Sequence, residues 1–153
     1  MGVVHVKGVN FTKQDNPKST NIIDAGIWGG KVRVQIDNYV TDATEDAGST
    51  IKMGRLPVGA TVLEMILYHG ALGATVTFDI GDENDVDRYA DALDVAAAGV
   101  KETRSTDLGQ TYKVLGAAKT GDGKDDQNIL ITTGVATLAT GIAVQLITIY
   151  ARE

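Results

Sequence analysis

Wherever the spacing of apolar positions along this chain is regular, its period is two. In KVRVQID the apolar Val32, Val34 and Ile36 alternate with Lys31, Arg33, Gln35 and Asp37, and in ATVTFDI Ala74, Val76, Phe78 and Ile80 alternate with Thr75, Thr77 and Asp79. Successive side chains of a strand point to opposite faces, so both stretches predict half-buried strands. STIKMGRL predicts another strand, which stops at LPVGA, where Pro57 lacks a ladder donor and Gly59 admits a turn. In the next stretch, TVLEMILYHG, Leu63, Ile66 and Leu67 also fit a helical stripe. The span between Gly59 and Gly70 is short for a helix and suits a long strand. As a strand it sets Leu63, Met65 and Leu67 on one face and Val62, Ile66 and Tyr68 on the other. A strand apolar on both faces is covered on both, by a second sheet or by a neighbouring subunit.

After Ile80 the pattern turns acidic, then alanine-rich, then polar, and DRYADALDVAAAG reads either as a short helix ending at Gly99 or as an irregular excursion. TYKVLG is a short strand, KTGDGKDDQN a Gly/Asp turn, and NILITTGVATLATGIAVQLITIYARE two strands divided by small residues and Gly141. About seven or eight strands with turns between them predict an all-β fold, an antiparallel β-sandwich of jelly-roll type, over residues 31–153. Residues 1–30 differ. Asn, Pro, Ser and Gly run through them with only scattered apolar anchors, Phe11, Ile22, Ile23 and Trp28. They predict an extended N-terminal arm that becomes ordered against a surface. No internal repeat of fixed period is visible.

Composition narrows the partners. With 153 residues, 43% of them hydrophobic, the chain is long enough for one domain to bury a core. No apolar run reaches the length of a membrane-crossing helix, so no membrane partner is expected. MGVVHVKGVNFTKQ lacks the pattern of a secretory leader, and Val6 stands where a myristoylation signal needs Ser or Thr, so synthesis in a cytoplasm is expected. Cysteine is absent, which removes disulfides and thiolate chemistry together. The formal charge of −6 repels polyanions, and nucleic acid is not an expected partner. Lys7, Lys13, Lys18, Lys31 and Arg33 gather in the first part of the chain, whereas the acids lie in DATEDAG and GDENDVDRYADALD. The early basic stretch is either a solvated edge or a contact with an acidic partner. Candidate interface residues are therefore Lys7, Phe11, Lys13, Lys18, Ile22 and Trp28 on the arm, and Val62, Ile66 and Tyr68 on the sandwich.

Catalytic patterns are scarce. The two histidines, His5 and His69, have no recognisable motif around them and read as structural or solvated. GDGKDD and GALGAT lack the spacing of a phosphate-binding loop. Counted as a calcium loop from Asp82, Asn84 stands at the third position, but Val86 and Asp87 fall at the fifth and sixth; from Asp122, Lys124 falls at the third. Asp82, Asp85 and Asp87 therefore read as a solvated acidic loop, with adventitious divalent binding as the alternative. A glycosidase carboxylate pair has little aromatic material for a sugar cleft beside it, with one Trp in the chain. No enzymatic role, cofactor or metal is expected, and a β-rich chain with an arm points to a part that binds other proteins.

GSTIKMGRLPVGATVLEMILYHG resembles a pattern in small structural proteins of tailed bacteriophages, carried here by Gly48, Ser49, Arg55, Leu56, Pro57, Gly59 and Ala60. ATVTFDIGDENDVDRYADA is similar to their strand, acidic turn and Asp-Arg-aromatic element, carried by Asp87, Arg88 and Tyr89. TLATGIAVQLITIYARE resembles their closing strand, with Thr140 and Gly141 as the turn and Tyr150 near the end. The resemblance covers the last two-thirds of the chain. It implies a virion component of the head decoration or cement type, often a homotrimer, bound to the major capsid protein on the outer capsid surface. A component inside the head would set its acidic charge against packaged DNA, which independently favours the outside. The alternatives are a tail or head-fibre component and, in another class, a carbohydrate-binding module.

Overall fold

The computed structural model describes residues 31–42, 45–57, 59–103, 112–113 and 127–152. The expected arm, with Lys7, Phe11, Lys13, Lys18, Ile22 and Trp28, lies outside the described residues, as does most of the Gly/Asp turn at 119–128. Nine strands run in chain order: β1 (Lys31–Val40), β2 (Thr50–Leu56), β3 (Thr61–His69), β4 (Thr77–Gly81), β5 (Ala90–Asp94), β6 (Gly99–Glu102), β7 (Tyr112–Lys113), β8 (Gln127–Gly134) and β9 (Ala143–Arg152). No helix occurs among the described residues.

One sheet has the order β1-β9-β3-β6, with β7 also pairing with β3, and the other has the order β2-β8-β4-β5. Every pairing is antiparallel. The pairs β1 with β9, β2 with β8, β3 with β6 and β4 with β5 nest inside one another, so the chain behaves as one long hairpin rolled into two layers. That is the jelly-roll form of the β-sandwich the alternation predicted.

The core lies between the sheets. Phe78, Met53, Leu56, Met65, Leu67, Ile80, Ile129, Ile131 and Leu146 are fully buried, and each such side chain stabilises the fold by about 1.5–3 kcal/mol relative to exposure. In β4 the burial follows the sequence pattern, with Phe78 and Ile80 inside and Thr77 and Asp79 between them. In β2, Ile51, Met53 and Leu56 point inward across a bulge between Lys52 and Arg55. Gly54 lies in that bulge at φ 127°, and a Cβ there would meet the Gln35 side chain at 2.8 Å. That backbone favours glycine, and the Gln35 amide lies directly over it.

Three expectations need correction. In β3 a bulge between Val62 and Glu64 inserts one residue, which shifts the facing of everything before it. Val62 consequently joins Met65 and Leu67 in the core, at 6% exposure, and Leu63 turns outward at 47%. Val62 is thus not an outer-face residue beside Ile66 and Tyr68. DRYADALDVAAAG holds strand β5 rather than a helix: Leu93 pairs with Phe78, and the Ala92 N–H donates to the Asp79 carboxylate at 2.8 Å. Sheet pairing and that anchor override alanine's helix preference. The third correction concerns β1, whose apolar side faces away from the core.

Candidate functional site

In the register of β1 on β9, Gln35 opposes Thr148, Asp37 opposes Leu146 and Tyr39 opposes Val144. Those β9 residues are buried, so the polar phase of β1 points inward. Val32, Val34 and Ile36 point outward and are 63%, 58% and 56% exposed. They do not stand alone. Val34 lies beside Ile149, and Ile36 beside Ile147, which in turn adjoins Ile66 of β3. On β6, Val100 lies beside Tyr68, and both are exposed. A neutral apolar belt therefore crosses all four strands of this sheet on its outer face. Of the sandwich residues named from sequence, Ile66 and Tyr68 belong to the belt. Val32, Val34, Ile36 and Val100 were missed, because period-two alternation does not say which phase faces the core.

Charged residues lie near the margins of this sheet, with Lys31 and Arg33 in the same phase of β1 as Gln35, Asp37 and Tyr39 rather than in that of the belt. Lys31, Arg33 and Arg152 gather where β1 begins and β9 ends, Lys31 pairing with Arg152. Glu64 and Glu102 lie at the β3–β6 side, where Glu102 adjoins Ile66.

Elsewhere, residues with chemical potential are tied into the fold. His69 closes β3 at 6% exposure, with Nδ1 3.0 Å from the Gly70 carbonyl. It borders an open depression of about 390 Å3 with Asn38, Val40, Tyr68 and Gln145. One of its ring nitrogens is thus engaged, and Nε2 is buried without a hydrogen-bond partner among the described residues. His5 lies outside the described residues.

The Asp-Arg-aromatic element is a structural clamp. Asp82, with no exposed surface, accepts the N–H groups of Asn84 and Asp85 at 2.9 and 3.1 Å and lies 2.5 Å from Arg88 Nε. Tyr89 is buried and donates its backbone N–H to Ile80 at 2.8 Å. Glu83 accepts both the side-chain amide and the backbone N–H of buried Asn128, which in turn accepts Arg55 Nε at 2.9 Å. The acidic loop is thereby locked to β8 and β2. On its exposed side a hydrogen bond with Asp85 holds the Asp87 carboxyl above the usual carboxylate range. No group of three candidate metal ligands occurs among the described residues.

At the opposite end of the chain's strands, Tyr39 donates to Glu45, whose other oxygen accepts the Asp42 N–H at 2.9 Å. That hydrogen bond, then burial and the Glu45 and Asp42 charges, push the Tyr39 hydroxyl up from 10.0 to about 12. Burial, then the Asp82 charge, push Tyr89 up as well. Both phenols keep their protons in the folded chain at pH values where an unfolded chain releases them. Their stabilising contribution is complete below about pH 10 and is lost as pH rises through the folded values. The melting temperature should accordingly fall across pH 10 to 12, and Tyr39→Phe should flatten that fall; an unchanged slope in the variant counts against this assignment.

No model of a known protein family matches the chain, and no curated protein matches it. Solved structures do. A chain of the cyanophage Pam1 capsid asymmetric unit superposes with a TM-score of 0.61 at 25% identity, covering 82% of this chain and 88% of that one. A chain in the capsid of Ralstonia phage GP4 gives 0.63 at 23%, covering 81% and 86%. A chain in the acidic stable capsid structure of Helicobacter pylori bacteriophage KHP30 gives 0.53 at 15%, covering 79% and 87%. The fold is that of a bacteriophage capsid structural protein.

Proposed function

We propose that this chain is a head decoration, or cement, protein of a tailed bacteriophage. It binds the outer surface of the capsid lattice as a homotrimer, contacts the major capsid protein and has no enzymatic role. The observation that carries the reading is the outward apolar belt on a jelly roll shared with capsid chains. A sandwich that turns its valines outward on a ten-residue strand is built for assembly. The chain's charge of −6 supports a position outside the DNA-filled head.

The N-terminal arm contributes the capsid contact. Lys7, Lys13 and Lys18 meet acidic groups at its rim, where each exposed pair contributes about 0–1 kcal/mol and is screened by salt. Phe11, Ile22 and Trp28 contribute more when buried, about 1.5–3 kcal/mol each. The protein should therefore co-sediment with expanded capsids assembled without it, and remain bound in about 0.5 M salt. Trp28→Ala should weaken attachment more than joint replacement of the three lysines by Ala. Release by salt alone, or the reverse ranking, would show an arm held by charge; failure to sediment at any salt concentration would remove the decoration reading.

A further inference from the structure

β1 is a ten-residue strand with a ladder on one side only: among the described residues it pairs with β9 and ends its sheet. Which backbone groups face the open side follows from the ladder beyond β9. The Ala143 carbonyl accepts the Gly70 N–H at 3.2 Å on the β3 side, so Val144 turns its backbone groups to Tyr39, opposite it on β1. Thr41 donates to Ile142 in the same phase, at 3.0 Å. The odd-numbered residues of β1 therefore bond β9, and Val32, Val34, Ile36, Asn38 and Val40 present their N–H and C=O groups at the free edge. The Asn38 N–H is met there by the carboxylate of Asp37 at 2.8 Å.

A free edge of this length accepts another strand, and the sequence of β1 says which. Set antiparallel against itself about Gln35, β1 places Val34 opposite Ile36, Arg33 opposite Asp37 and Lys31 opposite Tyr39. Val34 and Ile36 share the outer side of the strand, and Arg33 and Asp37 share the inner side, so each meets its complement on its own face. Centring on Val34 shortens the paired stretch to residues 31–37, and centring on Ile36 leaves both basic residues without a carboxylate opposite. We propose that β1 pairs with β1 of a second copy about a twofold axis between the two Gln35 residues, extending the sheet across both sandwiches. Such a contact uses the same patch on each copy, so it stands apart from the threefold contact of a trimer and joins one trimer to the next. It goes beyond the decoration reading and holds with or without it. The Arg33 to Asp37 pairs, made twice by symmetry, fix the register, and the backbone ladder with the Val34 to Ile36 contacts holds it.

The chain has no cysteine, so a single introduced thiol reports the pairing. Across an antiparallel pair without mutual hydrogen bonds the Cα atoms lie about 4.5 Å apart, within disulfide reach. With copper phenanthroline as oxidant, Gln35→Cys in the full chain should run mainly as a covalent dimer on a non-reducing gel. Val34→Cys, offset from its own copy by two residues, should cross-link about tenfold more slowly. Adding Val34→Pro to Gln35→Cys should remove the dimer band, because the ring replaces a free-edge N–H, while circular dichroism stays that of the parent, since the β9 ladder keeps its donors. In chains without cysteine at low salt, sedimentation velocity should show Arg33→Asp and Asp37→Arg each weakening self-association about tenfold, and the two together restoring it to within a few-fold of the parent. A folded Gln35→Cys chain that stays monomeric under oxidant, Val34→Cys linking as fast, a dimer band that survives Val34→Pro, or charge reversals whose losses add instead of cancelling would overturn the proposal.

Discussion

Arg88→Met is expected to lower stability by about 3–5 kcal/mol, the usual cost of removing one partner from a buried ion pair. Arg88 is 25% exposed at its side chain, but Asp82 is completely buried. Deleting the guanidinium leaves that carboxylate with only the Asn84 and Asp85 N–H groups to offset its charge. For a chain of this length the loss corresponds to a fall in melting temperature of roughly 6–20 °C. The loop passes closely over the strand end, where a Cβ at Gly81 would lie 2.1 Å from the Asp85 carbonyl oxygen. Asp82→Asn combined with Arg88→Met should cost less than the sum of the two single changes, because no unpaired charge then remains. Calorimetry on the four chains measures the coupling. Additive losses would mean that the pair acts as two independent contacts.

Phe78→Ala should be comparably severe, about 3–5 kcal/mol. The ring has no exposed surface and sits on β4, between β8 and β5, at the centre of the core cluster. Closing the cavity would require both sheets to move together, which the antiparallel ladders on either side resist. Phe78→Leu, which keeps most of the volume, should cost far less, and a denaturant titration of the two variants would reveal a core that collapses freely if their midpoints coincided. Both losses concern the scaffold, and neither should be mistaken for a loss of binding: residual folded protein should assemble as the parent does.

Much of this architecture was legible because period-two alternation leaves little freedom. Phe78 and Ile80 are inside, as ATVTFDI requires, and the span between Gly59 and Gly70 is a strand as its length implies. The illegible parts share one physical cause: facing is a property of the whole sheet. The bulge at Val62 to Glu64 inserts a residue without any mark such as glycine or proline, yet it exchanges the places of Val62 and Leu63. KVRVQID reads the same whichever phase is buried, and only pairing with β9 shows that Gln35, Asp37 and Tyr39 are the inward set. Asp87, Arg88 and Tyr89 were legible as a motif but not as a clamp, since their partners Asp82 and Ile80 are chosen by the turn geometry. As for the candidate interface, Ile66 and Tyr68 were found from sequence because β3 is apolar on both faces, whereas a half-buried KVRVQID gives no sign that Val34 and Ile36 face outward.

The central claim is that this chain decorates the outside of a phage head, and the most direct measurement is a difference map between virions grown with and without it. Image reconstruction should show density lost from the outer capsid surface, repeated over the lattice, with the shell and tail otherwise intact. Density lost only from the tail or from the interior of the head, or particles identical in every region, would contradict the account.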